Sequence, residues 1–115
     1  MQKPISAREI VLSLKERFRP EKADPGYETI FHLDISGERG GQFTVRISDG
    51  TLNIEEGLHD SPKCIVTTKD ETYEDMEWGR TNAQMAVMFG KVKVNDLGEI
   101  LDFIPLFHQC ADFYK

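Results

Sequence analysis

The most regular pattern of apolar and polar residues is a two-residue alternation in the middle of the chain. Apolar residues alternate with polar ones over 43–47, Asp49-Gly50 follows, and the alternation resumes over 52–54. An Asp-Gly pair between alternating runs predicts a β-hairpin with a type I′ turn. A two-residue turn pairs Ile47 with Leu52, so both strands present their apolar side chains to one face. Since the other face is polar, we expect the sheet to be covered on one side only.

Three other segments have the short apolar runs of strands, namely residues 27–35, 63–68 and 91–94. In the first of them the odd-numbered positions from 31 to 35 are apolar and share one face. His32 lies on the opposite face. We interpret it as a surface or second-layer histidine, because the sequence places neither a nucleophile nor a carboxylate to orient it.

The N-terminal part of the chain has the pattern of a capped amphipathic helix. Ser6 and Glu9 form a capping box, and Ile5 and Ile10 form the matching hydrophobic staple. Apolar residues then recur at helical spacing until Pro20 ends the helix. The apolar stripe consists of Ile10, Val11, Leu14 and Phe18, and the charged face of Arg8, Lys15, Glu16 and Arg17.

Two short helices are predicted before the last strand. Thr68 and Glu71 form a second capping box, and Gly79 ends the first helix as its C′ residue. Asn82 is placed to cap the second helix, which contains the almost wholly apolar turn Met85–Phe89. Such a turn must be covered by protein or by a ligand.

The C-terminal segment, residues 97–115, is strongly apolar. Pro105 removes one amide and disfavours helix at Ile104, so we expect two helical pieces. Apolar side chains occur on nearly every side of these helices, and one face of a small sheet cannot bury all of them. A large cavity, a partner chain or an exposed patch must take the remainder.

Composition narrows the class of protein. Residues 1–115 are expected to form one domain. Fourteen basic and twenty acidic residues give a net charge of −6, and the basic residues form no cluster, which argues against nucleic acid as a partner. Neither a secretory leader nor an apolar run of membrane-spanning length is found, so we expect a cytoplasmic protein.

The residues that could carry chemistry form no recognisable set. Cys64 and Cys110 have no C-x-x-C spacing and no histidine at ligand distance in sequence, so we interpret them as buried thiols and expect no metal. His59 and Asp60 share a loop, but two ligands do not make a metal site. No Ser/His/Asp set and no paired carboxylates are found, so we expect neither enzyme activity nor a cofactor.

The stretch from Gly79 to Val94 resembles the sterol carrier protein 2 (SCP-2-like, sterol-transfer) family. It has that family's glycine and basic residue, then Asn-x-Gln, apolar residues and Gly-Lys-apolar-Lys-apolar. Ala83 stands where the family has a proline, and the ending is only loosely family-like. Upstream motifs match in order, so that the resemblance covers about Tyr27 to Leu101: the strand Gly40–Val45, the Asp49-Gly50 hairpin, the strand from Lys63, and the helix after Thr68.

The resemblance implies an α+β fold with a five-stranded, mostly antiparallel sheet and helices over one face. An apolar tunnel between sheet and helices would take sterols, fatty acids, acyl-CoA or other lipids. The family assigns no catalytic residue to this module when it occurs alone. Nothing in the residues distinguishes a sterol from an acyl chain.

The leading hypothesis is therefore a small soluble protein that binds and transfers an apolar ligand without chemistry. A lipid that hides about 300 Å2 of apolar surface gains roughly 7 kcal/mol before ordering costs. Methionines suit such a lining because they adapt to ligands of several shapes. An ordinary packed core is the alternative for each of the predicted lining residues, which are Trp78, Met85, Met88, Phe89, Leu101, Ile104 and Phe107.

Other interpretations stay open. An accessory or scaffold protein would present a hydrophobic intermediate, such as a quinone precursor, to partner enzymes. A homodimer would use the C-terminal apolar excess as its interface. Transient contact with a membrane is also compatible with lipid transfer.

Overall fold

A five-stranded sheet forms the centre of the computed structural model, which describes residues 3–114. The strands lie in the order β3-β2-β1-β4-β5; only β1 and β4 pair in parallel among them. Their bounds are β1 Thr29–Ser36, β2 Gly41–Ser48, β3 Thr51–Glu56, β4 Cys64–Lys69 and β5 Val92–Val94. The predicted α+β fold with a five-stranded, mostly antiparallel sheet is confirmed.

Six α-helices are described around this sheet. They are α1 Ala7–Leu12, α2 Leu14–Arg17, α3 Asp70–Glu77, α4 Ala83–Met88, α5 Leu97–Phe103 and α6 Cys110–Phe113. Two 3-10 turns, Pro20–Lys22 and Ile104–Leu106, complete the regular structure. None of the helices within residues 3–114 has the length and apolar character that crossing a bilayer requires.

The predicted hairpin forms in the predicted register. Asp49 and Gly50 have φ values of 52° and 74°, the positive angles that a type I′ turn requires at both central positions. Ile47 lies opposite Leu52. The next pairing continues the same face, because Phe31 on β1 lies opposite Val45 on β2. Apolar side chains of all five strands therefore enter one hydrophobic core with the helices.

The polar face of the sheet is partly covered by the loop after β3, contrary to the prediction of one covered side. Thr44 Oγ1 donates to the carbonyl oxygen of Gly57 (2.8 Å) and accepts from the amide of His59 (2.9 Å). His32 Nε2 donates to the carbonyl oxygen of His59 (2.7 Å). Thr44 and His32 are buried as a result, so His32 is a second-layer residue with a structural partner.

The N-terminal capping box is present, but the helix is shorter than predicted. Ser6 Oγ accepts from the amide of Glu9 (3.2 Å), and Glu9 Oε1 accepts from the amide of Ser6 (3.0 Å). Hydrogen bonds from Ser6 lower the pKa of Glu9. The helix is interrupted at Ser13, whose hydroxyl donates to the carbonyl oxygen of Ile10 (2.7 Å), and it ends at Arg17.

The predicted capping box at Thr68 is wrong. Thr68 belongs to β4, and its hydroxyl donates to the carbonyl oxygen of Lys91 beside the start of β5 (3.0 Å). Helix α3 begins one residue further on than such a box requires, with Lys69 at its N-cap and no side-chain cap. Its predicted end is confirmed, because Gly79 has a φ of 75° and its amide donates to the carbonyl oxygen of Met76 (3.2 Å).

Pro105 separates two helical pieces as predicted. It lies in the 3-10 turn Ile104–Leu106 between α5 and α6. After this turn the chain runs beside the N-terminal region, where Phe107 forms an antiparallel bridge with Phe18. The C-terminal segment is thereby held against the end of α2.

Candidate functional site

Helix α4 is a short helix of six residues, capped at its N-terminus by Asn82, and it lies beside the edge strand β5. Asn82 Oδ1 accepts from the amides of Gln84 (2.8 Å) and Met85 (3.2 Å), as the sequence predicts for a cap. Gly90, with a φ of 75°, ends the helix and directs the chain into β5.

Three of the predicted lining residues lie on the outer side of α4. Ala86 is buried and Val87 packs against the core, but Met88 is 75% exposed and Phe89 is 68% exposed. Met85 is about half exposed. We refer to Met85, Met88 and Phe89 as the α4 tip. These side chains face solvent in this structure.

Helix α5, like α4, has one side buried against the core and one side exposed to solvent. Its N-cap Asp96 accepts from the amide of Glu99 (3.1 Å), and Phe103 is buried in the core. The predicted lining residues Leu101 and Ile104 are exposed, Leu101 by 61%. Of the three outcomes expected for the C-terminal apolar excess, an exposed patch therefore accounts for part of it.

An aromatic cluster fills the interior between the sheet and α5. The ring of Phe31 on β1 stacks on Phe103 with centroids 4.0 Å apart, and Phe103 lies 4.8 Å from Phe107. Phe107 in turn lies 5.6 Å from Phe18. Phe107 was a predicted site residue. The apolar patterns place Phe18 and Phe31 in the core and do not single out Phe103, although alternation in β1 and the four-residue spacing from Phe103 to Phe107 point to one cluster.

Trp78 is placed apart from this cluster. It is half-buried at the end of α3, where its indole Nε1 donates to the carbonyl oxygen of Pro4 (3.0 Å). Its ring lies 6.2 Å from that of Tyr114. The seven predicted residues thus fall on the α4 tip, the outer side of α5, the aromatic cluster and the terminal segments, and a continuous tunnel through them stays a prediction.

A buried ionic group lies beneath the helices. Arg17 was predicted on the charged outer face of the first helix, which is wrong: its side chain is 1% exposed. Its guanidinium lies 2.8 Å from the Glu77 carboxylate and donates to Ser13 Oγ (3.0 Å) and to the carbonyl oxygen of His108 (2.9 Å). The spacing from Leu14 would have indicated this position, since residues three apart share a helix face.

Burial changes the ionisation of this ion pair and of both thiols. Burial opposes the charge of Arg17, but the Glu77 carboxylate, Tyr73 and Cys110 together outweigh it and raise the pKa of Arg17. Burial raises the pKa of Glu77, and Arg17 only partly offsets that effect. Burial also raises the pKa of Cys110 to about 11 and that of Cys64. Both thiols therefore stay protonated at neutral pH, which makes them poor nucleophiles.

Two open clefts complete the candidate site. The Phe107 cleft, of about 460 Å3, is lined by Arg19, Lys22, Ile104, Pro105, Phe107, His108, Gln109 and Asp112. The lysine cleft, of about 500 Å3, is lined by Ser36, Thr67, Thr68, Lys69, Glu71, Thr72, Asp75, Gly90, Lys91 and Lys93.

The Phe107 cleft combines apolar and basic side chains. Ile104 and Phe107 supply apolar surface, and Arg19 and Lys22 supply positive charge. Arg19 Nε is buried without a hydrogen-bond partner among residues 3–114; the nearest carboxylate oxygen, on Glu21, is 3.7 Å away. A buried unpaired donor of this kind favours an acceptor. Within residues 3–114, no three potential metal-ligating side chains come together.

Solved structures of other proteins share this fold. The palmitated SCP2L2 of Aedes aegypti is 22% identical, with a TM-score of 0.64 over 90% of this chain and 97% of that one. The sec-alkylsulfatase Pisa1 from Pseudomonas sp. is 17% identical with a TM-score of 0.74, but the match spans 87% of this chain and only 16% of the alkylsulfatase. The ubiquinone synthesis protein UbiJ-SCP2 is 13% identical, with a TM-score of 0.57 over 82% and 73% of the two chains.

Curated protein sequences give no match to the chain. The family comparison is more informative, because it covers most of the sequence. The model of the SCP-2 sterol transfer family matches residues 10–106, and the chain therefore belongs to that family.

Proposed function

We propose that the protein binds a fatty acid or a similar anionic lipid and carries it without chemical change. The observation that carries this proposal is the Phe107 cleft, where apolar side chains meet Arg19 and Lys22. Its volume of about 460 Å3 lies within the usual range for small-molecule sites, roughly 300–1,000 Å3. The carboxylate would pair with the Arg19 guanidinium, whose side chain is partly exposed at the cleft.

The acyl chain would lie along Ile104 and Phe107 toward the aromatic cluster. Phe107 contacts both Phe18 and Phe103, so a ligand that displaces its ring gains access to the interior between β1 and α5. Leu101 and the α4 tip would supply further apolar surface during transfer, and Trp78 would lie at the far end of the core. The palmitated SCP2L2 structure, which has the same fold, supports an acyl ligand.

The proposed mechanism is burial without catalysis. Both thiols are kept protonated by raised pKa values, and His32 is occupied by a backbone carbonyl group. The same proposal places the protein in the cytoplasm, which fractionation of native cells would test.

A titration with cis-parinaric acid, with palmitate and hexadecanol as competitors, tests the proposal. Arg19→Gln should weaken palmitate binding at least about tenfold, because a hydrogen bond to a charged group contributes about 1.5–3 kcal/mol. Hexadecanol, which lacks the carboxylate, should compete equally well in both proteins. Ile104→Asn should weaken both ligands.

Two control variants separate these effects from surface changes in general. Arg80→Gln removes an exposed guanidinium that pairs with Asp75, and Leu12→Asn alters a half-exposed apolar residue on α1. Both should bind palmitate as the unaltered protein does. A protein that binds neither ligand, or an Arg19→Gln variant with unchanged palmitate affinity, would refute the proposal.

An accessory role is the second candidate, and the likeness to UbiJ-SCP2 favours it. In that role the same cleft would hold a hydrophobic intermediate for a partner enzyme. Affinity purification from native cells distinguishes the two candidates. A stable stoichiometric enzyme partner would support the accessory role, and its absence would support a free carrier.

A further inference from the structure

We propose that the α4 tip, together with the neighbouring lysines Lys69, Lys91 and Lys93, is a docking surface for an anionic lipid bilayer. The inference goes beyond the proposed function, because it assigns a second surface and a different partner, and it can be measured without a bound ligand.

The first argument is the exposure of large apolar side chains at the end of a short helix. Met88 and Phe89 are the last residue of α4 and its C-cap, and both are more exposed than buried. A six-residue helix is only about 9 Å long, so the tip is a small protrusion. Apolar side chains on such a protrusion suit shallow insertion at the boundary between headgroups and acyl chains.

The second argument is the charge beside the tip. Gly90 and Lys91 follow Phe89 directly and line the lysine cleft with Lys69 and Lys93. None of these lysines lies within 4 Å of a carboxylate in the described part of the chain. Of the two acidic residues in the cleft, Asp75 pairs with Arg80 (2.8 Å), which leaves Glu71 against three lysines.

This local charge is opposite to that of the whole protein. The chain carries a net charge of −6, yet residues 79–95 contain two lysines, one arginine and no acidic residue. A second exposed apolar surface, on α5, shows the reverse. Its residues Leu97 and Leu101 alternate with Asp96, Glu99 and Asp102. An anionic bilayer would therefore attract the α4 tip and repel α5.

A second copy of the chain fits this surface less well. A stable interface buries about 800 Å2 on each partner, which far exceeds the area that three side chains on a helix of this length offer. Three lysines facing their own symmetry mates would also repel. The charge pattern instead matches the negative surface of a membrane.

Vesicle flotation tests the proposal with the full chain and no added ligand. Binding to vesicles of phosphatidylcholine and phosphatidylglycerol, about three parts to one, should exceed binding to pure phosphatidylcholine and should weaken as salt is raised. Lys91→Gln/Lys93→Gln should lower the affinity about 25-fold, roughly fivefold for each lysine. Met88→Ser/Phe89→Ser should abolish binding.

Matched controls change the same residue types elsewhere. Lys3→Gln/Lys15→Gln removes two exposed lysines, and Leu12→Ser/Leu97→Ser removes two exposed leucines. Both should bind the anionic vesicles as the unaltered protein does. Equal binding to the two kinds of vesicle, or an equal loss in the controls, would overturn the proposal. So would a dimer, seen by sedimentation, that Met88→Ser/Phe89→Ser dissociates.

Vesicle binding and fatty acid binding can be measured separately, so the docking surface can be tested whether or not the protein binds a fatty acid. Lys91→Gln/Lys93→Gln should bind cis-parinaric acid in solution with unchanged affinity while it loses vesicle binding. Vesicle binding without fatty acid binding would refute the proposed function alone, and fatty acid binding without vesicle binding would refute the docking surface alone.

Discussion

At the scale of single residues, the buried guanidinium of Arg17 is the group that most needs a counter-charge and hydrogen-bond acceptors around it. It depends on Glu77 for charge and on Ser13 and His108 for hydrogen bonds. Because His108 belongs to the segment after Pro105, the same side chain ties α2 and α3 to the C-terminal region. A charge in this position is tolerated only while its partners remain in place.

Glu77→Gln should therefore destabilise the protein by about 3 kcal/mol, since it leaves the guanidinium buried without a counter-charge. Urea unfolding measures the loss. Arg17→Met/Glu77→Leu removes both charges and should recover most of the stability. Arg80→Gln breaks an exposed pair of similar length, 2.8 Å, and should cost less than about 1 kcal/mol. A Glu77→Gln variant no less stable than Arg80→Gln would contradict this account.

At the scale of elements, the hairpin and the helix caps at Ser6 and Asn82 were predictable, but the start of α3 was not. The local conformation of the Asp49-Gly50 turn fixes the register of β2 against β3, so residues 43–54 are sufficient to predict the hairpin. Thr68 has the sequence of a cap, but pairing between β4 and β5 takes its hydroxyl. Competition of this kind between a local motif and a distant strand is not visible in the sequence.

Replacement by alanine should have opposite effects on stability at a glycine that ends a helix and at a glycine within one. Gly79 has a φ of 75° and an added Cβ would meet nothing within 4 Å, so Gly79→Ala isolates the backbone cost. We expect a loss of about 1 kcal/mol. Gly98 lies inside α5, where a Cβ would make an ordinary 3.4 Å contact with Asp96. Gly98→Ala should therefore gain about 0.5 kcal/mol.

Thermal unfolding of both glycine variants checks these signs. The substitution is the same in each, so side-chain chemistry cancels in the comparison. Effects of the same sign and size at Gly79 and Gly98 would show that the positive φ is not what Gly79 contributes.

At the scale of the whole molecule, the sequence predicts the sheet, the family and the excess of apolar surface. It does not predict which apolar residues of α4 and α5 face inward. Met85, Met88 and Phe89 recur at the spacing of one helix face, yet α4 and α5 are short and each contacts the core through one side only. The side that is buried depends on where β5 ends and how Phe103 stacks on Phe31, and these are long-range contacts.

The central claim is that an acyl ligand binds between the sheet and α5 through the Phe107 cleft. Nuclear Overhauser contacts between carbon-13-labelled palmitate and the protein test it most directly. We predict contacts from the acyl methylene groups to the rings of Phe103 and Phe107 and to the methyl groups of Ile104. Absence of binding, or contacts confined to Met88 and Phe89, would contradict the claim.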